Sequence, residues 1–229
     1  MFDIKARIIC AVIGYAFGLI QSAFIYGKLH GVDIRTVGSG NAGSTNALRA
    51  FGTKAGFTVL FFDALKTIAA ILLLRFTMGR CYPEDIALIT LYTAIGVILG
   101  HNFPFYLNFK GGKGLATLGG TILALDPKMF VVLLTIAIVL AVVTNYICVV
   151  PMSISVVFAI VYGYTRRSLA SLLILMLAAV VINFKHLENV RRIKDGTEAH
   201  FSLLWNRKAE AERLGKVYDD GRGYETCRS

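Results

Sequence analysis

Met129-Phe-Val-Val-Leu-Leu-Thr-Ile-Ala-Ile-Val-Leu-Ala-Val-Val143 carries no charged side chain. Two other stretches, Ala87–Leu99 and Leu169–Ile182, share that property. An α-helix rises about 1.5 Å per residue, so apolar runs approaching about twenty residues match a hydrocarbon core roughly 30 Å thick. Charge is scarce as well as clumped: 17% of the 229 residues are charged, against about 25% in a soluble domain. A soluble all-helical protein with buried helices is the alternative, and the recurrence of apolar segments along most of the chain argues against it.

Seven candidate spans follow, roughly 6–27, 54–75, 86–101, 114–126, 129–145, 149–164 and 168–186. The expected fold is all-α, a polytopic membrane helix bundle. Lys5 and Arg7 before Ile8–Ile20 imitate a signal peptide, but no small-residue cleavage site follows, so this run is expected to be a retained helix. The fourth span is short and contains Gly119-Gly120, as a half-length or tilted helix inside a bundle would. Pro127 marks a turn after it. Residues 1–198 form the expected membrane-embedded domain and 199–229 a polar cytoplasmic tail, helical or disordered.

The net charge of +10 is explained by topology rather than nucleic acid. With the N-terminus outside, the inner side holds Lys28, Arg35, Arg49, Lys54, Lys110, Lys113 and the basic residues from Lys185 onward. The outer side holds Lys5, Arg7, Arg75, Arg80, Lys128, Arg166 and Arg167. Cys10, Cys81, Cys148 and Cys227 are scattered and form neither a disulfide framework nor a zinc site.

Three polar segments interrupt the apolar pattern: Val37–Gly52, Gly100–Thr117 and Lys185–Glu198. All emerge on the cytoplasmic side in this topology and suggest one composite site. The first contains Gly38-Ser-Gly-Asn-Ala-Gly-Ser-Thr-Asn46 and then Arg49. Glycines allow close backbone approach to a phosphate, and Ser39, Asn41, Ser44, Thr45 and Asn46 add side-chain donors. A helix starting near Gly43 would add a favourable dipole. The run also matches a dinucleotide-binding glycine pattern, but no strand or βαβ unit surrounds it. In the second segment, Lys110-Gly-Gly-Lys113 has the composition of a phosphate loop, with Gly114 where a Walker motif needs Ser or Thr. His101 is a secondary candidate there, since a lone histidine at a helix end commonly caps or packs. In the third, a continuing helix would put His186 and Asn189 on one face. Asp63 and Lys66, three residues apart in the second span, are expected to be an ion pair that fixes helix packing.

Taken together and in order, these three strings resemble the acyl-phosphate:glycerol-3-phosphate acyltransferase family of bacterial membranes. Gly27-Lys-Leu and Phe62-Asp-Ala-Leu-Lys66 fit as well. The resemblance implies a seven-helix enzyme of the bacterial inner membrane, with its C-terminus and site at the cytoplasmic face. It implies transfer of an acyl group from acyl phosphate to glycerol 3-phosphate, giving lysophosphatidic acid, with no coenzyme A, metal or other cofactor. Ser39, Lys113, His186 and Asn189 would be catalytic. Asn41, Thr45, Asn46, Arg49, Gly111 and Gly112 would bind substrate, and Glu198 would be structural. Membrane lipid is the implied surrounding, and nucleic acid is not a partner. The family commonly has serine where this chain has Cys148, and a thiol is a poor hydrogen-bond donor. A transporter of small phosphorylated solutes is the rival, but it would usually show repeated halves and a midplane site. An acyl-CoA-dependent enzyme would use His-x-x-x-x-Asp, and no histidine here has aspartate five places on.

Overall fold

Apolar side chains cover the outside of the helices, the reverse of a soluble domain. The computed structural model describes residues 3–215, 217–219 and 223–225. Its helices are α1 (Ile4–Gly18), α2 (Ser22–Leu29), α3 (Ser44–Phe51), α4 (Thr53–Met78), α5 (Ile86–Asn102), α6 (Leu115–Leu125), α7 (Pro127–Thr144), α8 (Val149–Thr165), α9 (Leu169–Lys194) and α10 (Arg207–Arg213). A three-residue antiparallel pair, β1 (Val217–Asp219) and β2 (Gly223–Glu225), aligns Val217 with Glu225.

Five stretches are long and apolar enough to cross a membrane: Ile4–Leu29, Thr53–Met78, Pro83–Leu107, Pro127–Thr144 and Leu169–Lys194. Two shorter apolar helices, α6 and α8, complete the bundle at the places where the fourth and sixth spans were expected. On α7 only Leu133 and Ala141 are buried, while Val131, Leu134, Ile138 and Val142 are exposed. Phe57, Phe61, Leu72 and Phe76 on α4 and Leu173, Leu177, Val180 and Phe184 on α9 extend the apolar exterior. An apolar surface of this extent is stable only against lipid or another apolar partner. The protein is therefore a multi-pass membrane protein.

Inside, Leu91, Ile98, Leu118, Phe158, Leu175 and Ile182 form the main core between α5, α6, α8 and α9. A separate seam joins α1 to α5 through glycines. A Cβ on Gly14 would stand 2.2 Å from the Thr93 carbonyl oxygen, and one on Gly100 would stand 2.2 Å from that of Tyr15. Small residues at such crossings let helices touch backbone to backbone, which is how membrane helices gain packing without a hydrophobic driving force.

The first span is not the single helix expected over 6–27. It breaks at Leu19–Gln21 between α1 and α2. The break persists because its carbonyls find donors. Gln21 Nε2 donates to Gly18 O at 3.0 Å and His101 O at 3.1 Å. Lys66 Nζ donates to Ile20 O. Interrupted helices are tolerated at membrane depth where the protein itself satisfies the freed groups.

The Pro127 turn is as expected: Pro127 is the first residue of α7, and Asp126 caps that helix by accepting from Lys128 N and Met129 N. α9 runs to Lys194, about two turns beyond the expected end, with Ser168 as its N-cap and Arg191, Arg192 and Lys194 in its last turn. Cations there complement the partial negative charge of a helix C-terminus. The described part of the tail forms the helix α10 and the short β1–β2 pair. Ala199 and Ala211 pack against Leu48 of α3, with Leu204 beside them.

Candidate active site at one end of the bundle

The first polar segment is held by one side chain. Asn46, fully buried, accepts from Ser39 N at 2.7 Å and donates to Ile34 O at 2.9 Å and Val37 O at 3.0 Å. Gly38 has φ +60° and leaves no room for a Cβ, which would stand 2.2 Å from Asn46 Oδ1. This turn feeds Gly43, the N-cap of α3, and α3 carries Thr45 and Arg49.

In the second segment, Gly111 N donates to Asn102 O at 3.3 Å and Gly112 N donates to His101 O at 3.0 Å. Lys113 follows, and its ammonium donates to Asn189 Oδ1 and lies 3.9 Å from Glu188 Oε2. Burial pulls the Lys113 pKa down to about 8, with Glu188 opposing and Arg192 adding to that shift. In the third segment His186 and Asn189 are both buried on α9. His186 Nδ1 lies 2.8 Å from Ile182 O. A carbonyl only accepts, so Nδ1 carries the proton and Nε2 is left as an acceptor. Arg192 Nη2 donates to Ser39 O at 3.4 Å, joining the third segment to the first.

These segments share one pocket. Its wall includes Ser39, Asn41, Gly43, Ser44, Thr45, Asn46 and Arg49 from the first, His101 and Lys113 from the second, and His186, Asn189, Arg192 and Glu198 from the third. Asp63, Gly114, Leu115, Ala116, Ile147, Cys148 and Pro151 complete it. The C-terminal ends of α5 and α9 and the N-terminal ends of α6 and α8 meet there. The pocket therefore opens at one end of the bundle, and Arg166–Asp126 (3.1 Å) lies at the other. Three cationic side chains, Arg49, Lys113 and Arg192, with the α3 N-terminus, suit it to anionic ligands.

Two expectations need correction. Asn46 borders the pocket, but both its amide hydrogens go to backbone carbonyls, so it shapes the loop and has no donor left for a phosphate. Gly111 and Gly112 are buried behind the pocket wall with their N–H groups committed to α5. A Cβ on Gly111 would stand 2.1 Å from His101 O, so this glycine permits close packing rather than ligand contact.

Other residues gain or keep importance. The Asp63–Lys66 pair forms at 2.7 Å, and it also reaches His101. Arg192, which the sequence presents only as part of the basic excess after Lys185, borders the pocket; its place one turn after Glu188 and about one turn beyond Asn189 is the signal for that. Glu198 is buried beside Arg49 at 3.8 Å. Cys148 lines the pocket as a neutral thiol, pushed up to about 11 by burial. Among the described residues no group of His, Cys, Asp or Glu could hold a metal ion.

Fold and pocket together define an integral membrane protein with an anion-receptive chamber at one end of a helix bundle. Residues 8–196 match the family described as glycerol-3-phosphate acyltransferase, and the chain belongs to that family. A glycerol-3-phosphate acyltransferase of Clostridioides difficile is 37% identical over 200 residues, covering 86% of this chain and 96% of that protein. One of Lactiplantibacillus plantarum is 39% identical over 212 residues, covering 90% and 98%. The crystal structure of PlsY (YgiH), an integral membrane glycerol 3-phosphate acyltransferase in its glycerol 3-phosphate form, superposes with a TM-score of 0.75. It is 31% identical, and the match covers 87% of this chain and 97% of that one. Its lysophosphatidic acid form gives a TM-score of 0.73 at 28% identity, covering 85% and 95%.

Proposed function

We propose that this protein transfers a fatty acyl group from acyl phosphate to glycerol 3-phosphate in phospholipid synthesis. The products are 1-acyl-glycerol 3-phosphate (lysophosphatidic acid) and inorganic phosphate. The observation that carries this reading is the meeting of Arg49, Lys113, Arg192, His186 and Asn189 in one pocket of a chain of this family. Two phosphate esters repel each other, and cationic side chains with oriented donors offset that repulsion. Acyl phosphate is already activated, so positioning and charge stabilisation are the main demands on the protein.

In the proposed step the glycerol hydroxyl oxygen attacks the acyl carbon, and the carbon–oxygen bond to phosphate breaks. The hydroxyl proton goes to the departing phosphate or to Nε2 of His186, the acceptor atom of that ring. Ser39, Asn41, Thr45 and Arg49 orient phosphate, and Lys113 and Asn189 hold the acceptor substrate beside it. The pocket and C-terminus face the cytoplasm of a bacterial inner membrane, with the N-terminus outside, because most Lys and Arg then lie inside.

Purified protein with glycerol 3-phosphate and either palmitoyl phosphate or palmitoyl-CoA tests the donor. Lysophosphatidic acid is expected from palmitoyl phosphate alone. Product from palmitoyl-CoA would overturn the donor assignment, and liposome uptake of glycerol 3-phosphate without product would make the protein a transporter. His186→Gln is expected to lower turnover at least tenfold; unchanged turnover and affinity remove His186 from the reaction.

A further inference from the structure

Four side chains form a continuous polar chain from the broken first span to the pocket. Ser22 Oγ donates to Asp63 Oδ1 at 2.9 Å. Lys66 Nζ donates to the same oxygen at 2.7 Å. The ammonium also lies 3.1 Å from His101 Nδ1. Asp63, Lys66 and His101 are 1%, 6% and 2% exposed, so these three are withdrawn from bulk solvent, while Ser22 is half-buried. Its last member, His101, and Asp63 reach the pocket wall.

The direction of these bonds fixes what His101 offers. An ammonium has only donors, so His101 Nδ1 must accept, and the ring proton sits on Nε2. Nε2 makes no hydrogen bond among the described residues. A Cβ on Gly112 would stand 2.1 Å from it and 2.5 Å from Cε1. Glycine at 112 thus lets the imidazole pack closely and keep its place on the pocket wall. His186, on the same pocket, has the opposite arrangement: its Nδ1–H is bound to Ile182 O and its Nε2 is the acceptor. The pocket therefore carries one imidazole that takes a proton and one that offers a hydrogen bond.

We propose that His101 is a substrate-contacting residue whose Nε2–H donates to a phosphate oxygen, and that Asp63 and Lys66 are positioning residues that hold it in that tautomer. This rests on the acyl-transfer reading of the same pocket. An Asp–Lys pair used only for helix packing needs no histidine bridging it to an anion-binding chamber. The phosphate is that of glycerol 3-phosphate or of the acyl donor, and both are monoester-like dianions or monoanions with the same demand for donors.

The test separates the two atoms of the ring. His101→Asn keeps an acceptor for Lys66 near Nδ1 and removes the pocket donor; His101→Gln places an amide near Nε2. His101→Asn is expected to raise KM for one phosphate substrate tenfold or more, the scale of one hydrogen bond to a charged group, with a Tm within a few degrees of wild type. His101→Gln should recover most of that loss. A rise confined to glycerol 3-phosphate assigns the contact to the acceptor, and one confined to palmitoyl phosphate assigns it to the donor. The paired change Asp63→Asn with Lys66→Met removes both charges together and should reproduce the His101→Asn effect without adding to it in the triple variant. Both KM values within twofold of wild type in His101→Asn would overturn the proposal, as would a loss of Tm with no change in either KM. If wild type makes no product at all, the acyl-transfer reading fails by itself. Inorganic phosphate binding to the full-length protein in detergent then decides the histidine: weakening in His101→Asn supports the contact, and equal binding overturns it.

Discussion

At the residue scale the pocket depends on charges that are partly withdrawn from water. Lys113 is the clearest case, because burial lowers its pKa to about 8. The folded value is below the ordinary lysine value, so the ammonium is present below about pH 8 and is lost as pH rises through it. An anion-binding lysine works only while charged. The expected kcat/KM for glycerol 3-phosphate is therefore flat below about pH 8 and falls toward tenfold per unit above it, since that ratio follows the free enzyme. Lys113→Ala should lower kcat/KM roughly tenfold or more at pH 7 and lack the alkaline limb. A limb that persists in Lys113→Ala belongs to another group. The same scale explains where sequence reasoning failed. Amide and glycine residues serve ligands and local structure with the same atoms. Asn46 and Gly111-Gly112 could be told apart from side chains that face the pocket only by seeing where each N–H goes. The long-range groups were legible in another way: His186, Asn189, Lys113 and Arg49 stood out as polar chemistry at the ends of apolar spans.

At the element scale the span positions were legible because apolar length is set by the bilayer, a constraint external to the fold. The break in the first span was not, since unwinding at Leu19–Gln21 depends on Gln21, Lys66 and α5 supplying donors and a surface from elsewhere. The glycine seam is visible in the sequence as Gly14-x-x-x-Gly18 and Gly96-x-x-x-Gly100, yet spacing alone names no partner. The seam bears on the pocket, because the last turn of α5, which carries His101, is anchored there. A Cβ on Gly18 would stand 2.4 Å from Val97 O and 2.8 Å from Gly100 Cα, both backbone, so neither helix can yield locally. Gly18→Ala is expected to cost about 1–3 kcal/mol by overpacking and to reduce activity by displacing the α5 end. Gly119→Ala is the matched control. Its Cβ would meet only Phe130 Cε2 at 3.9 Å, and alanine favours the helix, so its Tm should match or exceed wild type. Equal melting of the two variants in one detergent would show that the seam does not hold α1 to α5.

At the scale of the whole molecule the bundle has two unlike ends, and which faces the cytoplasm decides how soluble glycerol 3-phosphate would reach the pocket. Among the described residues, the pocket end gathers the polar segments and most of the basic side chains. The opposite end has the short turn between α4 and α5, where Cys81 is exposed, and the Arg166–Asp126 pair. Cys10 and Cys148 are buried, so Cys81 can report on orientation once Cys227 is replaced by serine. With the pocket inside, Cys81 must lie outside, because an odd number of crossings separates the pocket end of α4 from its far end. A membrane-impermeant maleimide should therefore label Cys81 in intact spheroplasts, and permeabilisation should add little. Cys81→Ser should abolish the signal. Labelling that appears only after permeabilisation would invert the molecule. The chamber would then face away from the cytosolic pool of glycerol 3-phosphate, and acyl transfer from a cytosolic supply would have no route to it.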